Sequence, residues 1–279
     1  MMRIVSITLF LSVFALPLAA QYQRVVTLGG PVTEIVFALG AGDQVVAVDS
    51  SSVFPEKEID GLPVVGYVAA VGAEGLLGLE PDLIVATSRL GPPAVVEQLK
   101  STGVPLLIVD SPNDIPSLKD AVYQIGKKLG RDTEAKGLWS KIDRDLSAAN
   151  QFAEEHGSPT VVFLLGSRGA AMAAGTDTQG GGILTLAGGK NLFSDFNGYK
   201  PITEEAILAA NPDIILVGRH QAMPGEDVGP YMKRIGLERL AESTQAEIFM
   251  IGMSEYLTFG PRTGQAALKL AELFADSAK

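Results

Sequence analysis

The 279-residue chain has no cysteine, only two histidines and a single tryptophan. Without cysteine there is no disulfide, no thiolate nucleophile and no lipidated N-terminal cysteine of the lipoprotein kind. Two histidines without clustered carboxylates give no zinc site. Positive charge is also short: 22 Lys and Arg stand against 32 Asp and Glu, for a net charge of −10. No basic face of the kind that phosphate binding needs is evident, so a nucleic-acid partner is not expected. No G-x-S-x-G is present for a hydrolase elbow. The glycines of LGGPVTEIVFALGAGD do not have the G-x-G-x-x-G spacing of a dinucleotide site. These absences point away from an enzyme.

Long apolar runs are scarce too. One, from Ile4 to Leu18, follows the basic start Met1-Met2-Arg3 and precedes Ala19-Ala20. It falls short of the roughly 20 residues that span a bilayer, and Pro17 interrupts its end. It reads as a secretory signal peptide over residues 1–20, cut near Ala20. An exported chain without cysteine must hold itself by core burial, and the periplasm is the expected compartment.

What is present is 47% hydrophobic residues, enough to bury one large core or two ordinary ones. Apolar β-branched runs alternate with helical patterns. RVVTL, QVVAVD, the run from Leu83 to Ala86 and VPLLIVD read as strands. The spacing predicts helices over 31–39, 93–100 and 116–129. From Asp132 to about Glu155 no proline occurs, and Leu138, Ile142, Leu146, Ala149 and Phe152 recur at helical spacing. This predicts one long amphipathic helix. The alternation then restarts with TVVFLL, DIILV and EIFMI and closes on a helix from about Thr263. The expected fold is α/β: two parallel-sheet lobes, 21–131 and 157–279, joined by a single long helix, 132–156, with a ligand cleft between the lobes.

An internal echo supports two related lobes. Residues 64–85, VVGYVAAVGAEGLLGLEPDLIV, reappear as residues 196–217, FNGYKPITEEAILAANPDIILV. The alignment pairs Glu74 with Glu205, Leu77 with Leu208, Pro81 with Pro212, Asp82 with Asp213 and Ile84 with Ile215. A helix must stop before each proline, and a strand follows.

The stretch RVVTLGGPVTEIVFALGAGDQVVAVD, the unit AEGLLGLEPDLIVA, the long middle helix and the late FGPRTG resemble periplasmic binding proteins of ABC importers. The likeness is to the rigid-helix group that carries heme, cobalamin or ferric siderophores. VGYVAAVGAEGLLGLEPDLIVA, AAGTDTQGGGILTLAGGKN and GYKPITEEAI look most like its heme-binding members. The resemblance implies heme as cargo and a permease, with its ATPase, as partner of a monomeric carrier. It implies Tyr67 as the iron ligand, because a phenolate is a hard anionic oxygen suited to ferric iron. Free phenol ionises near pH ~10, so the metal's own charge must favour the anion.

Tyr199 holds the matching place in the second half and is expected to stack on the cargo or hydrogen-bond to it. Many heme-binding members carry an Arg two residues after the ligand Tyr, where this chain has Ala69. Some carry a His in the loop after the second half's first strand, where this chain reads LLGSRGAAMAAG, with Arg168. Arg168 is a candidate for a propionate carboxylate. Arg89 and His220 end strands at matching positions, where parallel strands face a crevice, and both are candidate cargo contacts. His156, at the end of the long helix, suits the helix dipole.

Glu74 and Glu205 open helices, where a carboxylate suits the dipole on its own account. The resemblance adds a docking role: one acidic residue per lobe for the permease, with Glu204 as a neighbouring choice. Alternative readings are the same transport role for cobalamin or a ferric siderophore, and a heme chaperone without a permease.

Overall fold

The computed structural model describes residues 22–167, 169–219 and 227–277. Two sheets organise it. The first holds β1 (Val25–Leu28), β2 (Val45–Val48), β3 (Leu83–Thr87) and β4 (Leu106–Val109), in the order β2-β1-β3-β4, all parallel. The second holds β5 (Thr160–Ser167), β6 (Ala170–Ala174), β7 (Lys190–Asn191), β8 (Tyr199–Pro201), β9 (Ile214–Arg219) and β10 (Glu247–Gly252). Its order is β10-β9-β5-β6-β8, with β7 beside β5. It is mixed, not wholly parallel: β5 pairs antiparallel with β6, and β6 with β8.

Both sheets are covered on both faces, as near-continuous apolar strands require. Alternate residues of β1 and β3 separate cleanly. Val25, Leu83 and Val85 point into one core; Val26, Leu28, Ile84 and Ala86 point into another. In the second sheet, Val161, Phe163 and Leu216 face one way and Val162, Leu164 and Val217 the other.

The repeated Pro-Asp has the same task in each half. Asp82 accepts from the N–H groups of Gln23 (2.7 Å) and Arg24 (2.9 Å) just before β1, and its own N–H donates to the Arg24 carbonyl. Asp213 accepts from the Thr160 N–H (2.7 Å) and hydroxyl (2.6 Å) at the start of β5, and its N–H donates to the Thr160 carbonyl. Each aspartate thus pins the central strand of its sheet to the strand it opens.

A single helix, Asp132–His156, runs between the sheets. Its 25 residues make a rod roughly 37 Å long. Ala135 and Ile142, with Leu138, Trp139 and Leu146, enter the core of the first half, whereas Ala149, Phe152 and Ala153 enter that of the second. The C-terminal helix, Thr263–Ser277, lies along it. At their closest approach a side chain on Gly264 would place its Cβ 2.5 Å from Asp145 Cβ and 2.8 Å from the Leu146 nitrogen, so only glycine fits there. Among the described residues no helix is long and apolar enough to cross a membrane.

An ion pair ties the two halves together. Arg262 donates through Nε (3.0 Å) and Nη2 (2.5 Å) to both carboxylate oxygens of Glu34, which lies in the helix Gly30–Ala38 of the first half. The guanidinium also donates to the Ser254 carbonyl (2.9 Å) and lies 4.0 Å from the centre of the Phe54 ring. Burial pushes the Glu34 carboxyl above its usual range, against the opposing pull of Arg262.

Candidate functional site

The carboxyl ends of β1 and β3 and the turn after β10 converge on a cleft between the halves, with a volume of about 520 Å³. That lies in the range that encloses a small-molecule ligand. Gly29, Gly30, Tyr67, Thr87 and Arg89 line it from the first half, and Leu165, Tyr199, Met253 and Leu257 from the second.

Tyr67 stands at the start of a short 3-10 turn, Val68–Ala70, with its side chain exposed. Its hydroxyl oxygen accepts a hydrogen bond of 2.6 Å from Arg89 Nη2. The local chain explains that meeting. Gly91 N–H donates to the Val68 carbonyl, and Val71 N–H donates to the Gly91 carbonyl. This two-rung ladder lays the segment after β3 alongside the Tyr67 turn, and Arg89 reaches the phenol from there. Ala69 carries no guanidinium, so the one beside the phenol comes from a separate segment.

Tyr199 opens β8 and lines the opposite wall. Its oxygen accepts from the Gly180 N–H at 3.2 Å. Burial raises its phenol above the ordinary value, against the weaker influence of the hydrogen bonds from Gly180 and Thr178. A phenol so placed stays neutral and offers its ring and one hydroxyl to the cleft. Tyr67 and Tyr199, equivalent in the sequence echo, therefore differ: one is exposed beside a cation, the other half-buried against a backbone N–H.

This is the geometry of a binding cleft. Residues 25–254 match the model of a family described as periplasmic binding protein. The chain belongs to the periplasmic binding protein family. The periplasmic heme-binding protein RhuT from Roseiflexus sp. RS-1, solved in apo form, superposes with a TM-score of 0.83 at 31% identity, covering 92% of this chain and 99% of that one. A curated relative, the uncharacterized ABC transporter substrate-binding lipoprotein YvrC of Bacillus subtilis (strain 168), is 26% identical over 92% of this chain and 82% of its own length. The vitamin B12-binding protein of Pectobacterium atrosepticum is 28% identical over 70% of this chain and 71% of its own. The family and these neighbours are substrate-binding transport proteins, not enzymes. This chain is a periplasmic ABC substrate-binding protein, and the cargoes named for these relatives are heme and vitamin B12.

Of the candidate contacts, this binding protein brings Tyr67, Arg89 and Tyr199 together in the cleft. Arg168 and His220 lie outside the described residues. His156 is the last residue of the rod; its ring stacks on Phe152 at 4.0 Å and its Nδ1 lies 2.8 Å from the Phe152 carbonyl, so it closes the helix. Glu74 and Glu205 are exposed in the first turns of the helices Ala73–Leu77 and Glu204–Ala210. A backbone N–H hydrogen bond, then one with Thr203, hold the Glu205 carboxyl below its usual range, with a weaker pull from Arg239, whose Nη2 lies 3.6 Å away.

The structure corrects the reading of Glu204 as a docking choice. Its side chain is only 9% exposed and accepts from the N–H groups of Arg239 and Leu240 and from Arg239 Nε. It anchors a neighbouring segment and presents little of its carboxylate to solvent.

Met253 and Leu257 were missed by the sequence reading. They follow β10, and the rule that strand ends face a crevice applies to EIFMI as it does to β3 and β9. Among the described residues no cluster of three or more His, Asp or Glu is placed to hold a bare metal ion.

Proposed function

We propose that this binding protein captures heme in the periplasm and delivers it to an ABC-type inner-membrane permease. The observation that carries the reading is the exposed Tyr67 phenol, which faces a cleft and has one guanidinium at 2.6 Å from its oxygen. A phenolate on ferric iron builds up negative charge at that atom, and a guanidinium donor compensates it. Pro31, Val68, Leu165, Met253 and Leu257 supply apolar wall for the faces of a flat macrocycle. The likeness to RhuT, at 31% identity over most of both chains, supports the same cargo.

Hemin titration of the purified protein tests this. The expected result is a shifted Soret band with a high-spin ferric signature, largely abolished by Tyr67→Phe. Cobalamin is the competing cargo, favoured by the name of the Pectobacterium relative. Retention of cobalamin with indifference to hemin would replace heme by a corrinoid.

In this reading residues 1–20 are an export signal, 21–131 and 157–279 are the two lobes, and 132–156 is the rod that limits their movement. Glu74 and Glu205, one per lobe, meet basic pockets on the permease and set the register of docking. Neutralising both as Glu74→Gln and Glu205→Gln is expected to reduce uptake while hemin affinity stays intact. Unchanged uptake would favour a chaperone that meets no permease.

A further inference from the structure

Beneath the Tyr67 turn lies a buried carboxylate with no role in the reading so far. Asp49 follows the last residue of β2 and is fully buried. Its Oδ1 accepts from the Gly29 N–H (2.8 Å) and the Ser52 hydroxyl (2.7 Å). Its Oδ2 accepts from the Ser51 N–H (3.2 Å), the Ser51 hydroxyl (2.7 Å) and the Val68 N–H (3.2 Å). None of these five donors is a cation. Four of them, on Gly29, Ser51 and Val68, come from three segments that all line the cleft.

We propose that Asp49 is the positioning residue that sets Tyr67 for iron; this rests on the reading of Tyr67 as the ligand. The peptide that leaves Tyr67 is held at the Val68 amide. That N–H is an orphan donor at the start of a 3-10 turn, and Tyr67 provides no side-chain cap for it. Asp49 takes it, while the Val68 carbonyl is taken by Gly91 N–H at 3.0 Å. Just upstream, Ser50 N–H donates to the Gly66 carbonyl (2.7 Å) and Val65 N–H to the Val48 carbonyl (3.0 Å). Tyr67 thus departs from a backbone fastened on both sides, and Arg89 holds its far end.

The chemistry calls for a carboxylate in particular. Hydroxyl donors can turn and accept instead, but backbone N–H groups cannot. Gly29 sits on one oxygen; Ser51 and Val68 sit on the other. An asparagine therefore aims its NH₂ at a backbone N–H whichever way it is turned. The Gly29 position admits only glycine: its φ is 116°, and a Cβ there would lie 2.7 Å from Thr87 Cγ2.

The test uses the full-length mature protein and hemin. Asp49→Ala and Asp49→Asn are titrated beside wild type and Tyr67→Phe, with the absorption spectrum recorded at saturation and a thermal melt for each. Ser52→Ala is the structural control, since it removes a donor to Asp49 that does not touch the Tyr67 turn. Loss of a supporting partner costs a coordinating side chain about 10- to 100-fold in affinity. The expected result is a fall of that size for Asp49→Ala, a smaller one for Asp49→Asn, and an altered saturated spectrum in both. Ser52→Ala should lower the melting temperature and leave the spectrum alone.

The proposal is overturned if both Asp49 variants saturate with the wild-type spectrum and affinity, however far their melting temperatures fall. It is also overturned if Ser52→Ala moves the spectrum as much as they do, or if neither Asp49 variant folds, because Asp49 is then a general support of the floor. If Tyr67→Phe itself keeps the wild-type spectrum, the ligand reading is what fails, and Asp49 loses its role with it.

Discussion

Replacing Arg262 by methionine removes the guanidinium that joins the halves and leaves most of its stem in place. Glu34 is then a carboxylate with 3% of its side chain exposed and no cation beside it; in the intact pair Arg262 itself is 22% exposed. Breaking a buried pair by removing one partner costs about 3–5 kcal/mol. With one member partly in water, the low end applies, about 3 kcal/mol at pH 7. For a chain of this size that corresponds to a drop in melting temperature of roughly 6–12 °C.

The loss must depend on pH, and its sign follows from Glu34. Its carboxyl is already raised above the ordinary 4.5, with burial the larger cause and Arg262 opposing it. Its contribution to stability is therefore present in full below 4.5 and is lost as pH rises through the folded-state value. Removing Arg262 removes the opposing cause and pushes the carboxyl higher. The variant should therefore lose less, relative to wild type, at pH 5 than at pH 7. Urea unfolding at both values reads this directly. The double variant Glu34→Gln with Arg262→Met has no charge left to strand and should recover most of the loss at pH 7. A single-variant loss below about 1 kcal/mol, or one equal at the two pH values, would show that Glu34 is not confined as the geometry states.

Gly264→Ala should destabilise even though alanine favours a helix by up to about 1 kcal/mol over glycine. The new Cβ meets the rod's backbone, and overpacking of about 1–3 kcal/mol is expected in thermal melts. Arg89→Ala should weaken hemin binding while changing stability by no more than about 0.5 kcal/mol, because Arg89 is exposed and its guanidinium donates to Tyr67. Glu204→Gln and Glu205→Gln should separate cleanly. The first loses about 1–3 kcal/mol of stability, since it anchors Arg239 and Leu240, and the second loses almost none.

The sequence made the parallel strands legible because β1, β3, β5 and β9 are runs of Val, Ile and Leu buried on both faces. It hid β6 and β8. AAMAA has no β-branched residue, and YKP ends in proline; each is a strand because its neighbour is there to pair with. Tyr199, singled out only by its place in the sequence echo, opens one of these strands. In the site, single residues were readable and their pairings were not. Tyr67 and Arg89 meet only through the ladder at Gly91, and Glu34 finds Arg262 across almost the whole chain. Glu204 and Glu205 are adjacent and chemically identical, so burial alone decides which one a partner can touch.

The rod's divided stripe bears on how the molecule can be taken apart. Cutting the chain just before Asp132 would strip Ala135 and Ile142 from the first core, and cutting just after His156 would strip Ala149 and Ala153 from the second. Either fragment would expose an oily seam to water, so neither half should survive expression on its own, although each has a sheet of its own. The linker is a shared piece of both interiors, and the two globules are partners that cannot be divorced.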